Sequence, residues 1–575
     1  MSRTIALFPR PLPFRRPRVR SPSGRPLAPL RPRVRSPLPL LLALAISACG
    51  RGTILVGEPV DAASDDSSGS DGAEPDEAGA DVGDHFDEAL DADDDGAGEG
   101  ESADEGLEDA AEDASVDAGP VCPIWAVPSG ADPDADGTEA HPFIGLPATL
   151  AARGPCEHVI LRGGTADDPF DAAVDIGLGD SESLLIEGDP SDAALAELEA
   201  YGDPGLFVTS AGTLTLRHLA VRDGLAPTGG CLNAQVGALR LEDTEWTDCR
   251  AVEEGSAVWV YSPDVEILDS RFLRNEAQQE RTEPPPAVGA ACLDGPLDVT
   301  HILVQRSSFE DNSADWGHAL YLKTSTRDAV VRDCLFLRNA SRRGPAALGG
   351  QVGELSHNRF EGNQADVDAA VVEIPGTPDT RIFHNLFIEN RSGRESVALQ
   401  PCHGLVANNL FVRNVCRNAP GEAGCSAAIW VTAGCSIDLL NNTFVDNASE
   451  GGIAHLSYDS AFGSVHANVF VGGDGRAAVG TDYTDWGVST EMAYNVWWTV
   501  PDPVFGDGVR LADGNVEADP AFTGIDDFHL GPGSAAIDAG DPDPSLADPD
   551  GSRNDPGAFG GPAGDWTPLP EGGAP

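Results

Sequence analysis

A short phrase that recurs at intervals of 24 to 37 residues constrains this chain more than any other feature. Seven copies place an asparagine three residues after a phenylalanine: Phe272 and Asn275, Phe309 and Asn312, Phe336 and Asn339, Phe360 and Asn363, Phe387 and Asn390, Phe411 and Asn414, and Phe444 and Asn447. Trp246 and Phe470 stand where further copies fall. Five positions before each aromatic residue the chain is always apolar: Leu241, Ile267, Val304, Val331, Leu355, Ile382, Val406, Leu439 and Val465. Side chains that share one face of an unbroken strand are an even number of residues apart. Five is odd, so the pleat must break between them. The break is expected two residues before the aromatic, where Ser270, Ser307, Cys334, Asn358, Asn385, Asn409 and Asn442 stand. Asparagine tolerates left-handed backbone and bonds to nearby amides, which suits a corner. The closing asparagine marks the next one.

Each unit is then a short strand, a bend, a second short strand and a turn. One unit cannot bury its own apolar side, whereas stacked units bury a continuous core. A period near 26 residues fits the coil of an all-β, single-stranded parallel β-helix solenoid, right-handed by the general rule for parallel crossovers. At about 4.8 Å per coil, the eight steps from Trp246 to Phe470 make a rod roughly 38 Å long. Residues 212–500 keep no 3.6-residue period, which excludes helical repeats, and the units are too short for propeller blades.

Residues 1–35 contain ten arginines and no acid, followed by an apolar run from Leu38 to Cys49 that is too short to span a bilayer. This reads as an export signal over 1–48. Its end, Ile46-Ser47-Ala48-Cys49, resembles the bacterial lipobox, and that resemblance implies lipidation of Cys49, anchoring to a membrane and display in the cell envelope, at the outer membrane or cell surface. Cleavage there moves the net charge from −58 to −68. Residues 51–118 hold 25 Asp or Glu against Arg51 alone, so 49–118 is expected to be a disordered, self-repelling tether. Specific metal capture by that tract has no visible ligand geometry behind it.

Two further segments carry a resemblance. Trp125, the Asp132–Asp134–Asp136 run before Gly137, and His141-Pro142-Phe143 resemble the opening of bacterial proteins of the pectin-lyase-like superfamily. Asp519-Pro-Ala-Phe522, Asp527-Phe-His-Leu530, Ile537-Asp538 and Asp555-Pro-Gly-Ala-Phe559 resemble the C-terminal segment of secreted bacterial β-helix proteins. The Phe-x-x-Asn phrase is also similar to the repeats of polymorphic outer-membrane proteins. The resemblance implies a β-helix domain over 119–575. Its parts are an N-terminal cap and first coils at 119–212, with Leu146–Ala152 as a capping helix, repeat coils at 213–500, and a capping segment and tail at 501–575.

Removing Cys49 from eleven cysteines leaves an even ten, which in an exported protein favours disulfides. Cys402, Cys416, Cys425 and Cys435 are expected to staple one expanded coil, and Cys249, Cys292 and Cys334 to face neighbouring coils. A zinc site at 402–435 lacks paired C-x-x-C spacing. Asp132, Asp134 and Asp136 alternate like half a calcium loop, but Phe143 stands where the closing glutamate belongs. No cofactor is therefore expected, with calcium as the one ion to consider.

No pair of carboxylates earns a catalytic assignment, because 94 acidic residues make chance juxtaposition common and Lys323 is the sole lysine. Arg274, Arg338 and Arg413 read as solvated. Trp259, Tyr261, Trp316 and Tyr321 are the nearest candidates for a sugar platform, with Trp259 and Tyr261 on one strand face, which could equally be the core side of that sheet. The acidity argues against nucleic acid. The leading expectation is a non-catalytic surface module for binding or adhesion, its partner a polysaccharide or another surface protein. The alternatives are a polysaccharide lyase or glycoside hydrolase acting on extracellular glycans, and a passive envelope protein.

Overall fold

The computed structural model describes residues 122–570, apart from 180, 279–288, 297–300, 324–328, 368–369, 394–397, 418–425, 451, 459–460, 481–488 and 507. Cys49, the signal at 1–48 and the tether at 49–118 lie outside the described residues, as does Cys425.

Four short strands make one coil, two more than the repeated phrase reveals. In the coil of Phe272 they are Val258–Tyr261, Asp264–Leu268, Arg271–Leu273 and Glu276–Ala277. The first belongs to a thirteen-stranded sheet and the last to a nine-stranded sheet. The middle two belong to a bent sheet that carries both halves of the phrase. Successive coils pair in parallel and in register: Trp259 with Cys292, Val265 with Ile302, Phe272 with Phe309, and Ala277 with Ala314. The core lies between the three sheets.

The aromatic residues stack along that core. Rings from Phe272 to Phe470 follow one another at centroid spacings of 4.7–4.9 Å, the distance between paired strands. All are fully buried. Each contributes about 1.5–3 kcal/mol by leaving water, before any gain from stacking.

The pleat does break between the two inward positions, but not on the predicted residue. The left-handed residue is the one before the Ser, Cys or Asn: Asp269, Arg306, Asp333, His357, His384, Asn408 and Asn441, with φ of 47–58°. The second corner repeats this geometry at Arg274, Asp311, Arg338, Glu389, Arg413 and Asp446, each one residue before the closing asparagine. A left-handed residue turns its side chain outward and swings the next one inward. The asparagine is therefore free to serve the core side of the corner. Left-handed backbone costs roughly 1–2 kcal/mol for a residue with a Cβ, less for Asn and Asp. Stacking puts opposite charges together there: Arg274 on Asp248 at 2.8 Å, Arg306 on Asp269 at 2.6 Å, Arg338 on Asp311 at 2.8 Å, and Arg413 on Glu389 at 3.1 Å. These arginines are half-exposed, as expected, but each is held by the coil before it.

Two buried asparagine ladders line the corners. From Asn275 to Asn447, each Nδ2 donates to the Oδ1 of the next coil's asparagine at 2.9–3.0 Å. A second ladder runs from Asn358 to Asn515. Each side chain also donates to a main-chain carbonyl of an earlier coil, as Asn312 does to Phe272. Buried amides at the corners would otherwise lack partners.

The helix Leu146–Ala152 forms where the sequence places it. The C-terminal segment forms a strap along the flank. Asn408 Nδ2 donates to the carbonyls of Ala558 and Gly560, an imidazole nitrogen of His384 bonds to the carbonyl of Ala563 at 2.8 Å, and Arg359 donates to that of Leu569. Phe528, Ala558 and Trp566 cover Leu386, Ile388, Leu410, Val412 and Val445. Earlier coils carry Arg271 and Glu310 in the equivalent outward rows.

Disulfides join Cys122 to Cys156, Cys231 to Cys249, and Cys402 to Cys435. Cys402 and Cys435 precede His403 and Ser436, which pair across neighbouring coils, so this bond fastens two coils together rather than stapling one. Cys416 is also disulfide-bonded. Cys249 takes the place of an asparagine at the head of the first ladder, where its N–H donates to Asn275 Oδ1. Cys334 is a buried thiol at the first corner, and burial pushes it up to about 12.

Candidate functional site

Three of the four aromatic candidates converge on the outer face of the thirteen-stranded sheet. In Val258–Tyr261 the valines point into the core, and Trp259 and Tyr261 point outward. Register then sets two outward rows. One runs Phe207, Asn233, Trp259, Cys292, Tyr321, Gly349 and Glu373. The other runs Thr209, Gln235, Tyr261 and Asp294. Cys292 and Tyr321 are buried with Trp259 packed against them. Trp316 lies elsewhere, at the end of Ser313–Trp316 in the nine-stranded sheet, under the guanidinium of Arg343 at 5.4 Å.

His318 lies over this face. Its ring stacks on Tyr321 at 4.7 Å, and a Cβ on Gly349 would fall 1.7 Å from its Nε2. The imidazole therefore fills the space that Gly349 leaves. It is only 6% exposed, and burial pushes it down to about 3, so it is neutral. Among the described residues its Nδ1 has no hydrogen-bond partner, nor have Trp259 Nε1, Asn233 Oδ1 or Gln351 Nε2, all of them closed to solvent. A buried polar atom without a partner costs about 1–3 kcal/mol. Lys323 is held by Asp294 at 3.1 Å, both largely covered. Glu373 has no ion-pair partner among the described residues, and burial raises its carboxyl above the usual range.

Beyond Ser262 and Pro263 the chain enters Asp264–Leu268, whose outward residues are Asp264 and Glu266. His301 pairs with Asp264 on the next coil, and its Nδ1 lies 3.1 Å from Asp264 Oδ1. The ligand atoms of Asp264, Glu266 and His301 lie within 4.8 Å of one another, a set compatible with a divalent cation. Arg240 pairs with Glu266 at 3.2 Å and competes for that carboxylate. Two carboxylates suit calcium, whereas the imidazole shifts the preference toward zinc or manganese.

Residues 297–483 match the family model described as a right handed beta helix region. The fold is a right-handed parallel β-helix. No curated protein matches the chain.

The β-helix settles several other readings. Its asparagine rows are the corner residues the sequence suggests, buried in ladders along the core. Asp132 and Asp136 bond to the N–H groups of Asp134 and Thr138, and Asp132 also meets His141 at 3.0 Å, so this run forms turns. A four-cysteine zinc cage is excluded by the Cys402–Cys435 disulfide. A cavity of about 150 Å³ between Phe528–Leu530 and Asp555–Gly560 belongs to the strap, away from the aromatic face. Asp264, Glu266, His301 and His318 carry no local motif. What brings them together is strand register, and the connection of variable length between Ala277 and Ala291 hides that register in the sequence.

Proposed function

We propose that this protein acts on extracellular glycans, which lie on the outer face of the thirteen-stranded sheet against Trp259 and Tyr261. The observation that carries this reading is the convergence of outward aromatic rings, Phe207, Trp259 and Tyr261, with the exposed polar side chains of Thr209 and Gln235 on that face. Sugar rings offer apolar faces to stack and hydroxyls to bond to such side chains. A cation-assisted cleavage is the second reading, favoured by Asp264, Glu266 and His301 beside the same face. A bound divalent cation would polarise a substrate oxygen there.

The test incubates the purified protein with a polysaccharide panel, with and without manganese, zinc or calcium. Reducing ends and the absorbance of unsaturated uronates are followed alongside binding. Turnover establishes an enzyme, and binding without turnover an adhesin. Neither overturns the glycan reading and leaves a passive envelope role.

The setting we propose is the bacterial envelope, at the outer membrane or cell surface, with lipid on Cys49 and the acidic stretch 49–118 as tether. The lipobox-like end of the signal and the Phe-x-x-Asn resemblance to polymorphic outer-membrane proteins support it. The mass of the mature N-terminus tests it, and an unmodified Cys49 would sink it.

A further inference from the structure

Within a chain of net charge −58, one outward strip of the β-helix carries no charge. It is made of Phe207, Asn233 and Trp259 in one row and Thr209, Gln235 and Tyr261 in the other. Phe207 is 43% and Tyr261 42% exposed, so both offer ring faces to solvent. Phe207 and Trp259 stand two coils apart, about 9.6 Å along the rod, roughly the span of a disaccharide. Asn233 lies between them in the same row. Its Nδ2 donates to the Thr228 carbonyl, and its Oδ1, like Trp259 Nε1, is closed to solvent. The polar groups the strip offers outward are the neutral, exposed side chains of Thr209 and Gln235. Lys323 is engaged by Asp294 and Arg240 by Glu266.

We infer that the strip takes a neutral glycan, its sugar rings stacked on Phe207, Trp259 and Tyr261 and its hydroxyls bonded to Thr209 and Gln235. A polyuronate would bring negative charge to an acidic protein and find no free cation on the strip. A neutral chain avoids that repulsion, and its hydroxyls both donate and accept. This inference rests on the glycan reading and narrows it to a substrate class.

The experiment titrates the purified protein with neutral polysaccharides (β-glucan, mannan, galactan and xylan) and with polygalacturonate and alginate, at low and high salt. A neutral polysaccharide is expected to bind with little dependence on salt. Tyr261→Ala, at an exposed position, should weaken it about tenfold, and Trp259→Phe should weaken it while keeping a ring. Circular dichroism shows whether each variant is folded. Binding of a polyuronate alone overturns the neutral class and leaves the glycan reading standing. Binding of a neutral chain that neither folded variant affects overturns the placement on this strip. No binding by any polysaccharide overturns both.

Discussion

Asn390 Oδ1 accepts two hydrogen bonds from Asn363, one from its main-chain N–H and one from Nδ2–H, each at 3.0 Å. Asn363 Oδ1 in turn accepts the same pair from Asn339. One buried oxygen per coil thus satisfies two donors of the coil before it. Replacing Asn363 by Ala orphans the two Asn339 donors and the Phe336 carbonyl that Asn363 bonds to. The expected loss is about 2–4 kcal/mol, read as a lower midpoint in denaturant unfolding. Asn363→Asp should also destabilise, because a carboxylate cannot donate to Asn390.

The left-handed corners make a contrasting prediction. Arg338 has φ of 54° and pairs with Asp311 on the surface. Glycine relieves the backbone and loses a pair that, half-exposed, is worth about 0–1 kcal/mol. Arg338→Gly is therefore expected to be nearly neutral, while Arg338→Val should cost about 1–2 kcal/mol. Thermal unfolding of the two variants distinguishes backbone strain from loss of charge.

Much of this architecture was legible in the sequence, because the aromatic position of Phe272 and the apolar position of Ile267 recur in nine successive coils and a five-residue offset permits only a bent strand. The inward strands of the other two sheets were not. Val258–Tyr261 and Glu276–Ala277 are too short to show a period of their own. The corner was misplaced by one residue because asparagine is itself a common left-handed residue, and the ladder that needs it facing inward exists only between coils. That Trp259 and Tyr261 share a face was legible from their spacing of two, but not that the face is the outer one. His318 was not, since only the missing side chain of Gly349 makes room for it.

Acid should act on buried imidazoles. His318 is held down to about 3, and His384 and His455 to about 4, all by burial. A histidine with a depressed folded value binds fewer protons folded than unfolded. Stability from these three is therefore present near neutrality and is lost as pH falls below the ordinary histidine range. Asp555 in the strap works the other way. Burial raises it to about 6, so it favours the folded state as pH falls through 6. Asp555→Asn should steepen acid unfolding between pH 6 and 4, and His455→Gln should flatten it, as measured by unfolding midpoints across pH.

The cation site carries its own prediction. His301→Ala should abolish binding of one manganese or zinc ion measured by titration calorimetry. Arg240→Gln should strengthen binding by releasing Glu266 from its ion pair. Equal affinity in all three proteins would show that the ion binds elsewhere.

The placement of a glycan on Phe207, Trp259 and Tyr261 is tested most directly by hydroxyl-radical footprinting of the full chain, with and without a saturating neutral polysaccharide. The account predicts that these three side chains are protected from oxidation, while Trp498 and Phe505, also exposed but near the other end of the coil stack, stay as reactive as before. Protection at Trp498 and Phe505 with none at Trp259 and Tyr261 would contradict it.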